Sequence, residues 1–155
     1  MTIPVSKRPS SLIPCLTYGI SLSKNDIITD EIAKLFQGKN FAFVATLMKD
    51  GSPQITPTWI DLENNMILVN TAEDRVKHRN IVRDPRVAVS IIDSTNPYNM
   101  VTVQGKVIEQ TTKGADDHIN KLAKKYLGVD KYPSRSPTEK RIIFKIKPDK
   151  VFLMK

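Results

Sequence analysis

The chain has 155 residues, with 40% hydrophobic and 26% charged residues, which is the size and composition of one soluble globular domain. Its single cysteine, Cys15, excludes an internal disulfide framework and fits a reducing compartment. No apolar run approaches the ~20 residues of a membrane span, and the N-terminus lacks the continuous apolar core of a secretory signal, so a cytoplasmic location with no membrane partner is expected. A formal charge of +8, from 24 Lys+Arg against 16 Asp+Glu, attracts polyanions and small anions alike.

Residues 1–25 carry Pro4, Pro9, Pro14 and Gly19 and read as an extended arm. Residues 30–37 read as a short helix: Ile32, Leu35 and Phe36 form an i, i+3, i+4 stripe, Thr29 or Asp30 can cap its start, and Gly38 suits its end. FAFVATLM (41–48) is a β-rich apolar run, closed by the turn pair Asp50-Gly51. SPQITPTWID (52–61) reads as the next strand, with Gln54, Thr56 and Thr58 on one face and Ile55, Pro57 and Trp59 on the other. Pro53 and Pro57 donate nothing to a ladder, which places this strand at an edge or a bulge. Glu63-Asn64-Asn65 turns into MILVNTA (66–72), and these three strands are expected to form a meander.

EDRVKHRNIVRDP (73–85) reads as a tight turn into one short helix that stops near Pro85. RVAVSIID (86–93) and MVTVQGKVIEQ (100–110) are further strands, Gly105 marking a bulge or kink, with STNPYN (94–99) between them. Residues 113–127 form the clearest helix, with Ile119, Leu122, Ala123, Tyr126 and Leu127 on one face and Gly128 at its end. After a loop at 129–140, residues 141–155 supply a sixth strand and, beyond Pro148-Asp149, a short final one. Strands that follow one another through turns favour an antiparallel barrel over a parallel sheet. FAFVATLM and RVAVSIID are apolar on both faces. One face can fill the barrel, and the other needs cover, which suggests a dimer.

Catalytic constellations are sparse. His78 and His118 are the only histidines, and neither has metal-ligand spacing with carboxylates or Cys15. His78 reads as a surface helix residue. There is no Gly-x-Ser-x-Gly elbow and no Gly-rich phosphate loop. The concentrated feature is NTAEDRVKHRN (70–80), where Arg75, Lys77 and Arg79 lie between a strand end and a helix. A phosphate there would meet side-chain cations, free N–H groups and the positive end of the helix dipole. Within one helix Arg75 and Arg79 share a face and Lys77 does not, so the three converge only if the first sits in the turn. An ordinary basic surface helix has the same spacing. The stripe Gln54, Thr56, Thr58 beside Trp59 can hydrogen-bond the polar rim of a flat heterocycle, or it can be a solvent face. Tyr98, in Asn96-Pro97-Tyr98, can stack on a ring or plug the barrel's end.

In combination, ATL-x-x-DG-x-P, P-x-W-x-D, NTA-x-x-R-x-K-x-RN, DPRVAVS, NPY and V-x-G-x-V resemble the pyridoxamine 5′-phosphate oxidase-like split β-barrel flavoproteins, most of all the deazaflavin (F420)-dependent reductase branch. The resemblance covers about residues 30–154. It implies a six- to seven-stranded antiparallel split barrel, a homodimer with cofactor sites at the interface, and an oxidoreductase using FMN or coenzyme F420. It assigns Arg75 and Lys77 to the cofactor phosphate, with Arg79 and Asn80 as helpers. Thr56, Thr58 and Trp59 fall on the strand along the ring and ribityl chain, and Asn70 and Thr71 on the strand end near the phosphate. Tyr98 corresponds to an aromatic supplied by the partner subunit. QITPTWID and KPDKVFLMK depart from the vitamin-B6 oxidase pattern, so pyridoxine phosphate oxidation is not expected. A haem protein on the same barrel would want an axial histidine, which neither His78 nor His118 obviously supplies. A flavin-binding carrier without turnover would share all these residues. A nucleic-acid-binding barrel is the alternative from another class, but single-strand binders stack bases on aromatics. Only 6% of this chain is aromatic, so no nucleic-acid partner is expected.

Overall fold

The computed structural model describes residues 27–154. The N-terminal arm with Cys15 lies outside them. The chain forms α1 (Asp30–Gln37), β1 (Ala42–Leu47), β2 (Pro53–Thr58), β3 (Asp61–Glu63), β4 (Met66–Ala72), α2 (Val76–Arg83), β5 (Arg86–Ile92), β6 (Met100–Thr111), α3 (Ala115–Leu127) and β7 (Arg141–Met154). All strand pairs are antiparallel, in the order β2-β1-β5-β6-β7-β4-β3.

The two edge strands of this sheet, β2 and β3, are consecutive in the chain, with only Trp59 and Ile60 between them. The three steps from Thr58 to Asp61 span at most about 11 Å, so the sheet must curl until its edges meet. They meet without pairing, and the result is a split antiparallel barrel. The link is held by side chains in place of a ladder: the backbone N–H of Ile60 donates to Tyr126 Oη at 3.2 Å, and its carbonyl accepts from Lys125 Nζ at 3.0 Å. The run 52–61 is therefore two strands. The expected meander does not form either, because β4 pairs with β3 and β7 and never with β2.

The inner faces of the strands build the core, with Val44, Ile67, Val69, Val89, Ile91, Val101, Val103, Phe144 and Ile146 all buried, and α1 plugs one end through Ile32, Leu35 and Phe36. Thr29 caps α1 by accepting from Ile32 N–H at 3.4 Å, whereas Gly38 ends the helix in an extended conformation. Asn64 and Asn65 both adopt positive φ, the requirement of a tight two-residue hairpin turn. The C-terminal segment is one long strand, not two: Pro148 falls opposite Gly105 at a break in the β6–β7 register, where no donor is missed. A Cβ at Gly105 would come within 2.4 Å of the Lys147 carbonyl oxygen, so only glycine lets the two strands approach there.

Candidate functional site

A cleft of about 750 Å³ opens where β2, the end of β4, the start of α2, α3 and the start of β7 meet. That volume lies within the range of small-molecule sites. Its cationic end is built by a turn. Asp74 takes positive φ, and Arg75 remains extended as the N-cap of α2, so it sits outside the helix. This is the arrangement that lets Arg75, Lys77 and Arg79 converge, and all three line the cleft. Asp74 is fixed from both sides: its N–H donates to His78 Nδ1 at 3.1 Å, and its carbonyl accepts from the Arg79 guanidinium. His78 is half-buried and stacks on Phe144 with ring centroids 6.2 Å apart, so it is not a simple surface residue.

Unlike α1 and α3, α2 has no acidic residue in its first turn, and among the described residues no side chain caps it, as Thr29 caps α1. Its free N–H groups and positive dipole end are therefore not neutralised from within the helix. Among the described residues no acceptor pairs with the Lys77 ammonium. Burial, and secondarily the charge of Arg75, push it down to about 8 from 10.5. Such a donor set suits a phosphate.

The wall is β2. Gln54, Thr56 and Thr58 are its half-buried face and line the cleft, joined at the edge by the exposed Pro57, while Ile55 points outward into solvent. The hydroxyl of Thr56 is buried without a hydrogen-bond partner among the described residues. Trp59 stacks on Tyr126 (5.2 Å, 4° between planes) and meets the edge of Tyr132 at 5.7 Å, which fixes the indole at the rim. An orphaned hydroxyl, a flat aromatic wall and a cationic end together fit a planar heterocycle with a phosphorylated tail.

Asn70 and Thr71 also line the cleft and are buried. Asn70 is already engaged: Nδ2 donates to the Ala115 carbonyl at 2.7 Å and lies 3.2 Å from His118 Nδ1, and Oδ1 accepts from Arg141 Nε at 2.8 Å. His118 leads on to Asp61 at 3.3 Å, and Asp61 to Lys121 at 2.6 Å. Hydrogen bonds from His118 and Lys121 hold the Asp61 carboxyl well below the usual carboxylate range, despite burial acting in the opposite direction. Asn70 thus braces the floor.

Two predicted residues lie elsewhere. Asn80 is buried under α2, donating to Thr46 Oγ1 at 2.9 Å and accepting from Arg83 at 2.8 Å, so it pins the helix to β1 and is absent from the cleft wall. Tyr98 is 73% exposed in the β5–β6 loop and does not line its own subunit's cleft. Arg141 and Tyr132 line the cleft without having been singled out from sequence. Arg141 is buried, with its guanidinium 5.2 Å from the Tyr132 ring centroid.

Comparison with known proteins matches this architecture. A solved F420 reductase is 26% identical, with a TM-score of 0.70 over 80% of this chain and 98% of that one. A conserved hypothetical protein from Mycobacterium tuberculosis is 20% identical, with a TM-score of 0.64 over 86% and 89% of the two chains. General Stress Protein 26 from Bacillus anthracis is 19% identical, with a TM-score of 0.60 over 80% and 91%. The family model for pyridoxamine 5′-phosphate oxidase matches residues 28–155, spanning every strand and helix described above, and the chain belongs to that family.

Proposed function

We propose that the cleft binds FMN or the deazaflavin coenzyme F420 and that the protein is an oxidoreductase acting on a small organic substrate. The observation that carries this reading is the convergence of Arg75, Lys77 and Arg79 with Thr56, Thr58 and Trp59 in one cleft. The cations and the first turn of α2 would hold the tail phosphate. The orphaned Thr56 hydroxyl would donate to or accept from the polar rim of the ring, and Trp59 would bound its apolar surface. When bound, the coenzyme's ring supplies the hydride chemistry, and the protein supplies binding, orientation and exclusion of water. The likeness to an F420 reductase supports the deazaflavin option.

The reading includes a homodimer. What supports it is the outer face of the sheet, where Phe43, Ile55, Phe152 and Met154 are exposed on strands that run up to the cleft's edge. In such a dimer Tyr98 would reach the partner's cleft.

An absorbance spectrum of protein purified from its own host, with mass spectrometry of the released cofactor, tests the coenzyme directly. Titration of FMN and F420 into the wild type and Lys77→Ala tests the anchor. The expected loss is about 1.5–3 kcal/mol, the range for a hydrogen bond to a charged group. Unchanged affinity for both coenzymes refutes the assignment.

A further inference from the structure

The loop at 128–140 delivers a carboxylate to two arginines that line the cleft. Oε1 of Glu139 accepts from Arg75 Nη2 at 2.6 Å and from Arg141 Nη1 at 3.1 Å, and its side chain is only 11% exposed. The two arginines differ in freedom. The Arg141 side chain is 4% exposed and tied to Asn70, whereas that of Arg75 is 59% exposed with no partner besides Glu139 among the described residues. An anion entering the cleft therefore competes with Glu139 for Arg75 and leaves the Glu139–Arg141 pair in place.

We propose that Glu139 is a built-in competitor for the tail phosphate, a residue that sets how tightly this site holds phosphorylated ligands. The inference rests on the coenzyme reading given above. A bare phosphate must share Arg75 with, or draw it from, a carboxylate already 2.6 Å away, and it brings nothing else with which to offset that cost. A phosphate tethered to a ring lying along β2 brings the ring's contacts as well. Glu139 thus lowers the affinity for every phosphate, and only a ligand that also fills the Trp59 end of the cleft binds well. The Arg75 contact is largely solvent-exposed, so the effect is modest.

Isothermal titration of inorganic phosphate, FMN, F420 and riboflavin into the wild type, Glu139→Gln, Glu139→Asp and Lys77→Ala tests this. Glu139→Gln keeps an acceptor for Arg141 but removes the charge. It should tighten phosphate and the phosphorylated coenzyme by about fivefold, leave riboflavin within about twofold, and be largely reversed by Glu139→Asp. A merely structural role in holding the loop would weaken all the ligands together. Phosphate and coenzyme affinities that stay level or fall in Glu139→Gln, while Lys77→Ala weakens the coenzyme, overturn this inference and leave the coenzyme site standing. Tighter phosphate in Glu139→Gln with no effect of Lys77→Ala on either coenzyme supports Glu139's role and removes the coenzyme reading. No binding of phosphate or coenzyme to any of the proteins overturns both.

Discussion

Arg141 and Asn70 stand 71 positions apart, yet Nε of one donates to Oδ1 of the other at 2.8 Å beneath the cleft floor. The bond ties the first residue of β7 to the middle of β4. On one side it continues through His118 to Asp61, and on the other through Glu139 to Arg75. Arg141→Met keeps much of the side chain's bulk but leaves a buried amide oxygen and a largely buried carboxylate each short of a donor. The expected cost is about 2–4 kcal/mol in urea unfolding, because removing one member of a buried polar network exposes the desolvation penalty of the rest. Adding Asn70→Ala should cost less than the sum of the two single losses. A loss below about 1 kcal/mol for Arg141→Met would show that the network contributes little.

Thr56 offers the opposite balance. Its hydroxyl is buried without a partner among the described residues, an arrangement that favours a ligand and not the fold. Thr56→Val removes the hydroxyl at nearly constant shape. Stability should stay level or rise by up to about 1 kcal/mol, while coenzyme affinity falls by about five- to tenfold, one neutral hydrogen bond's worth. Thermal unfolding and ligand titration on the same sample read both quantities. Substantial destabilisation with unchanged affinity would make Thr56 a structural residue.

Local chemistry made much of the fold legible. FAFVATLM and RVAVSIID announced strands, Glu63-Asn64-Asn65 a turn and Gly105 a bulge or kink, because each follows from preferences that neighbouring residues satisfy among themselves. The cationic turn was legible for the same reason: strand end, Arg75 and helix start are contiguous. What stayed hidden depends on distant partners. The break at Trp59–Ile60 exists because Tyr126 and Lys125, more than sixty positions away, satisfy the Ile60 backbone. Arg141 and Glu139 join the site only through the pairing of β7 with β4, which sets Arg141 opposite Ala72. Asn80 misled because its motif position carries no information about facing. It lies next to Ile81 on the buried side of α2, where an amide can pin the helix to Thr46.

The position of Lys77 makes phosphate binding pH-dependent with a definite sign. Burial and Arg75 push its ammonium down to about 8 in the free protein, and a bound phosphate favours the protonated form. Its contribution to affinity is therefore complete below pH 8 and declines as pH rises beyond it. On the acid side, a phosphate monoester gains its second charge near pH 6. The FMN-to-riboflavin affinity ratio, which cancels effects on the ring, should peak at about pH 7–8. Lys77→Arg should abolish the alkaline decline, since guanidinium stays charged. Stability moves the other way. The unfolded chain holds this proton more tightly than the folded one, so the penalty from Lys77 is full below pH 8 and fades as pH approaches 10.5. Lys77→Met should accordingly be more stable than wild type at pH 7, by a margin that shrinks toward pH 10.5. An alkaline decline that persists in Lys77→Arg assigns the titration to another group.

The outer face of the sheet tests the dimer. Register places Phe43 beside Pro57 and Ala45 beside Ile55 at one end, and Thr102 beside Phe152 and Met100 beside Met154 at the other. Ile55 is 61% exposed, an arrangement that costs free energy in water unless another surface covers it. Because β2 carries Ile55 outward and Thr56 inward, whatever covers the first lies next to the cleft holding the second. Replacing Phe43 and Ile55 together by Glu should yield a monomer by light scattering, with an unchanged far-ultraviolet spectrum and coenzyme affinity reduced by about tenfold or more. Tyr98→Ala should weaken the coenzyme in the dimer and have no effect in the charged monomer, since Tyr98 lies away from its own subunit's cleft. A wild type that is monomeric at micromolar concentration, or a double variant that still dimerises, would place the interface elsewhere or remove it.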